Sequence, residues 1–162
     1  MTHPIKPLFA RALPLMTASQ NYLGYLQAPA TLAARIFVGM AFFRSGLTKI
    51  ADWDTTLALF ADEYHVPLLP TDVAAVAGTF GELFFPVLLI LGLFGRFSAL
   101  SLSVVNIVAV LSLSEIAPAA LQQHQFWGTL LVAIVLWGPG KWAVDGWWWS
   151  KAVNQDDGSF KS

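Results

Sequence analysis

Between Ala34 and Ile50 the chain reads ARIFVGMAFFRSGLTKI, apolar enough to enter a bilayer yet interrupted by Arg35, Arg44 and Lys49. A charge at the centre of the hydrocarbon costs roughly 3 kcal/mol on insertion scales, so each must face protein, water or an interface. At about 100° per residue, Arg35, Gly39, Phe42, Gly46 and Lys49 share one stripe of a helix and Arg44 lies on the opposite side. Arg35 marks one end of the segment and Lys49 the other, and both can snorkel toward water. Arg44 is left needing an intramembrane partner, for which Glu82 is the expected group.

The rest of the composition agrees with a membrane protein. Of 162 residues, 56% are hydrophobic and 12% charged, against about a quarter charged in soluble domains. The net charge of -1, with scattered basic residues, excludes a nucleic-acid interface, which needs a clustered Lys/Arg surface. With no cysteine there is no disulfide, no c-type haem attachment and no cysteine-ligated metal or cluster. A redox role would require a bound cofactor or another subunit.

Taken in order, the sequence predicts an all-α membrane protein, a four-transmembrane-helix bundle. Residues 1–30 are too interrupted to span and form an interfacial or mobile N-terminal segment, with Lys6 and Arg11 available to anionic head groups. Residues 31–145 form the transmembrane domain and 146–162 a cytoplasmic tail. Its first helix covers Thr31 to Ile50. The spacing of Trp53, Leu57, Phe60 and Tyr64 then predicts a short amphipathic helix lying at the interface, followed by an extended VPLLP segment with Pro67 and Pro70. The second span covers Val73 to Phe94, with Pro86 four residues after Glu82, freeing that carbonyl at an expected kink. The third covers Phe97 to Ile116 and holds Asn106. A polar connection, Ala117 to Gln125, carries His124, and the fourth span covers Phe126 to Trp137. The turn Gly138-Pro139-Gly140 follows. Trp147, Trp148 and Trp149 suit an interfacial belt, and Trp53 and Trp127 suit interfacial anchors.

The basic residues Lys6, Arg11, Arg96, Lys141, Lys151 and Lys161 fall on one side of such a bundle, which by the positive-inside rule places both termini in the cytoplasm. His65, His124 and most carboxylates then lie on the outer side. Gly39 and Gly46 on the first span, and Gly78 and Gly81 on the second, are lanes for close helix approach. Gly39 and Gly46, and the close pair Gly92 and Gly95, suit a homodimer as readily as internal packing.

The pattern R-x3-G-x3-F-x2-G-x2-K, made by Arg35, Gly39, Phe43, Gly46 and Lys49, resembles the DoxX family of small bacterial inner-membrane proteins. So do Glu82 followed by LGLFGRFSAL (Leu91 to Leu100) and the closing GPGKWAVD (Gly138 to Asp145). The segment SGLTKIADWDTTLALFADEYHVPLLP resembles a branch of that family found beside machinery making copper-binding peptides. The resemblance implies a multi-pass protein of the bacterial plasma membrane, associated with oxidoreductase systems and quinone-linked electron transfer. It transfers no reaction, and the chain carries no self-contained catalytic motif.

Two constellations remain as candidate sites. Arg44, Glu82 and Asn106, with Lys49 at the outer mouth, come from three helices at comparable depth. They read either as a polar site for a quinone head group or proton path, or as a buried pair that fixes helix register. His65 and His124, with Glu63 and Glu115 near in sequence, read either as a copper site or as polar loop residues. The function classes that follow are an accessory subunit of a redox or metal-stress system holding a quinone, a membrane partner or transport element for copper or a copper-binding peptide, and a structural anchor. Other membrane or periplasmic proteins are the implied partners, beside the lipid bilayer.

Overall fold

The structure, a computed structural model, describes residues 5–66 and 68–147, with side chains described from Met16 onward and at Pro14. All of its regular elements are helices: α1 (Ile5–Ala51), α2 (Trp53–Asp62), α3 (Thr71–Leu91), α4 (Gly95–Ser112) and α5 (Pro118–Trp137). Three segments are long and apolar enough to cross a membrane, Met16–Ala51, Thr71–Leu91 and Gly95–Ser112. By length and composition these three helices can each cross a bilayer. The fourth long helix, α5, has the length but opens with PAALQQHQ, a polar start that lowers its hydropathy. Expectations about Pro67, the Trp148–Trp149 belt and residues 148–162 of the tail lie outside the described residues, as do the side chains of Lys6 and Arg11.

The first helix differs most from its expectation. α1 starts at Ile5, not Thr31, and its 47 residues make it about 70 Å long, more than twice the thickness of a hydrocarbon core. Pro14 and Pro29 lie inside it. Each removes one backbone hydrogen bond, but the helix continues through both in a run rich in the strong helix formers Leu and Ala. Beyond Ala28 toward the N-terminus the described side chains are exposed.

Within the body, α1 packs chiefly on α3, α3 on α4, and α4 on α5. Val38, Phe42, Leu89, Ala99, Leu102, Leu131 and Ile134 form the central core. The small residues lie where backbones come closest. A Cβ at Gly39 would lie 2.6 Å from Ile90, one at Gly46 2.8 Å from Leu83, and one at Gly81 3.0 Å from Val105. Gly78 faces the Phe60 ring of α2 at 3.4 Å. The glycine lanes are thus occupied by neighbouring helices of the same chain.

α2 is the amphipathic helix that the spacing predicts. Asp52 caps it, accepting from the Thr55 amide at 3.0 Å and hydroxyl at 2.7 Å. Its apolar face, with Trp53, Leu57 and Phe60, packs on Ala74 and Ala75 of α3, together with Tyr64 just beyond its end. The connection to α3 is pinned to the end of α4 by a hydrogen bond from the His65 amide to the Ser112 carbonyl at 2.7 Å.

The opposite end is closed by a clasp. α3 ends at Gly92 (φ 71°), where the amides of Gly92 and Leu93 return to the Leu89 and Leu88 carbonyls, a Schellman arrangement that glycine makes without steric cost. α4 starts immediately, earlier than expected. Asp145 caps it, its two carboxylate oxygens accepting from the Phe94 and Gly95 amides at 2.9 and 2.6 Å. Arg35, expected to snorkel, is instead fully buried. It donates to the Trp142 carbonyl at 2.6 Å and to the Ile90 and Leu89 carbonyls at 3.4 and 3.5 Å. Carbonyls at the end of α3 and in the chain after α5, in buried or half-buried surroundings, accept from one guanidinium.

Candidate functional site

Arg44 is not the partner of Glu82. Its side chain is exposed on the outer face of α1, and Glu82 of α3 pairs with Lys49, Nζ to Oε2 at 2.5 Å. The reason is the helix crossing. A Cβ at Gly46 would lie 3.2 Å from the Glu82 Cβ, so α3 crosses α1 at Gly46, and Lys49 is the next residue on that stripe. Arg44 is about 140° away around the helix. Lys49 also donates to Ser45 Oγ at 3.0 Å, and the two side chains of the pair are 18% and 9% exposed, so the pair is largely withdrawn from water.

Asn106, buried on α4, faces α5 rather than the ion pair. Its side-chain amide donates to the His124 carbonyl at 3.0 Å, and its Oδ1 lies 2.7 Å from His124 Nδ1. Because the amide nitrogen is donating, Oδ1 must accept. The His124 proton therefore resides on Nδ1, and Nε2 is left as an acceptor. The expectation of His124 in a loop fails because Pro118 takes the first position of α5 and starts the helix there. That places His124 in its second turn. The His124 ring stands edge-on to Trp127, centroids 5.0 Å apart, and Trp127 stands edge-on to Phe42 in the core at 5.6 Å. Trp127 is thus half-buried against the core.

A cavity of about 280 Å³ lies between α1, α3 and α4 and is closed by α2 and the start of α5. Lys49, Glu82, Tyr64, Ser45, Ser112 and His124 supply its polar groups, and valines of α4 much of its apolar wall. Tyr64 and Ser45 carry no sequence signal of their own. The Tyr64 spacing marks it as part of the apolar face of α2, and only folding shows that it also borders the cavity. Burial pushes its phenol above the usual range, with the negative charges of Glu82 and Glu63 adding to the effect. The hydroxyl stays protonated, a donor, across neutral pH.

The structure does not bring the two histidines together. His65 is exposed after α2, its Nδ1 3.3 Å from the Glu63 carbonyl, and it does not line the cavity that His124 borders. Among the described residues no group of three or more His, Asp or Glu is placed to hold a metal ion.

The DoxX family model matches residues 30–115, from the buried part of α1 through α4. The chain belongs to the DoxX family. It is also similar to an uncharacterized protein of Haemophilus influenzae, 32% identical over 123 residues, which cover 70% of this chain and 80% of that protein. No solved structure matches it. The match includes every residue of the cavity that α1, α2, α3 and α4 contribute, whereas His124 and the GPGKWAVD clasp of this DoxX protein lie beyond it.

Proposed function

We propose that this DoxX protein is an accessory membrane subunit of a redox or metal-stress system, and that it holds a quinone-like ring in the cavity at Lys49 and Glu82. The observation that carries this reading is the cavity itself: an ion pair, a protonated phenol, an imidazole with a free Nε2 and two serines around a mainly apolar space. Its volume of about 280 Å³ is at the lower edge of the roughly 300–1,000 Å³ of small-molecule sites. A ring with two carbonyls fits that description, its apolar tail leaving along the valine wall. The Lys49 ammonium and Tyr64 hydroxyl donate to a carbonyl, and His124 Nε2 accepts from the hydroxyl of the reduced form.

The reading also has α5 crossing the bilayer as a fourth span, with the Lys49 end outward and both termini in the cytoplasm of a bacterial plasma membrane. Gently purified wild-type protein should carry a quinone extractable into organic solvent. Glu82→Gln, which leaves Lys49 without its carboxylate, should reduce the copurified quinone about tenfold or more, the usual loss for a partly buried charged contact. A quinone-free wild-type preparation from quinone-replete membranes would sink the reading.

A further inference from the structure

At the end of the molecule opposite the cavity a groove of about 920 Å³ opens between the α3–α4 turn, the turn after α5 and the α1 stretch around Gln27. Its cations are Arg96 and Lys141, both exposed. Neither has a hydrogen bond or ion pair among the described residues. Among the described residues the one carboxylate at the groove is Asp145, and both its oxygens are engaged by the Phe94 and Gly95 amides. The Arg96 guanidinium lies against the Gly138 backbone. A Cβ there would be 3.6 Å from its Nε, and φ is +88°, so glycine leaves that surface bare.

The surroundings give the depth of this groove. Phe97 and Trp137 border it, 59% and 72% exposed, and Trp142, the residue after Lys141, is 59% exposed. Tryptophans such as Trp137 and Trp142 at the ends of apolar helices belong at the level of lipid head groups. Charge is also segregated along the molecule. Asp52, Asp54, Asp62, Glu63, Asp72 and Glu115 lie at the other end, where α1 passes to α2, α2 to α3 and α4 to α5.

We propose that the Arg96–Lys141 groove is a binding site for the phosphate of an anionic phospholipid, with the acyl chains lying along Phe97 and Trp137. Two cations without a partner among the described residues, beside exposed aromatic rings at the helix ends, match a phosphodiester with an apolar tail better than they match a soluble anion. Basic grooves between helix ends recognise anionic lipid in this way. The site is independent of any ligand in the cavity.

The test uses the full-length protein in detergent micelles, with binding of phosphatidylglycerol, phosphatidylcholine and inorganic phosphate measured by native mass spectrometry and by the shift in thermal unfolding. Wild type should retain phosphatidylglycerol in preference to phosphatidylcholine. Arg96→Gln with Lys141→Gln should weaken phosphatidylglycerol about 30-fold, the effect of two surface cations. Arg96→Lys with Lys141→Arg keeps both charges and should keep the preference, which separates loss of the site from loss of the fold. Equal retention of the two lipids by wild type, or an unchanged preference in the double glutamine variant, overturns the proposal. Equal stabilisation by inorganic phosphate and phosphatidylglycerol overturns it too, by making the ligand a soluble anion.

Discussion

Three cations in the α1 stretch from Ala34 to Ile50 end in three different environments, and the environment decides the role of each. Arg35 is fully buried because its planar fork can serve three carbonyls at once, which the point charge of a lysine cannot do with the same geometry. Lys49 is paired, and Arg44 is on the surface. Arg35→Met should therefore cost about 3 kcal/mol or more, since buried carbonyls lose their donor. Arg44→Leu should change stability by about 0.5 kcal/mol or less. Thermal unfolding of the purified variants in one detergent gives both numbers, and equal losses would contradict the placement of the two arginines.

At the scale of elements, α2 forms a lid over the cavity end of the bundle, held by packing on α3 and by a cap that titrates. Thr55 donates to the Asp52 carboxylate through its hydroxyl and its amide, and these bonds lower the Asp52 pKa. A depressed carboxyl pKa contributes stability that is present above the unfolded-state value and is lost as pH falls through the folded one. Acidification below the ordinary aspartate range should therefore loosen the first turn of α2. Amide exchange at Thr55 would accelerate there beyond the intrinsic pH effect. Asp52→Asn, an equally good cap without a proton to gain, should remove that excess, and an unchanged profile would show that the cap is not the titrating element.

For the whole molecule, the prediction concerns sidedness. The clasp joining Arg35, Gly92 and Asp145 is at one end, and the Lys49–Glu82 cavity under α2 is at the other. Because the chain has no cysteine, single cysteines can report each end without background. Asp54→Cys should react with an impermeant maleimide added to spheroplasts, and Lys141→Cys only in inverted vesicles. Labelling of both from one side would exclude an odd number of crossings between them, and with it α5 as a fourth span after α1, α3 and α4.

Much of this organisation was already legible in the sequence. The 3.6-residue stripe from Arg35 to Lys49, the amphipathic spacing of α2 and the isolation of Arg44 on the opposite face all follow from helical periodicity, which is local. The length of α1 was not legible, because Pro14 and Pro29 are helix breakers only on average and the flanking residues outvote them. Nor was the start of α5, although proline at a first helical turn was a usable signal. The pairing of Lys49 with Glu82, the burial of Arg35 and the Asn106–His124 bond belong to the tertiary structure alone. Each depends on how separate helices and the chain after α5 are brought together, in contacts between residues 18 to 107 positions apart that no local pattern encodes.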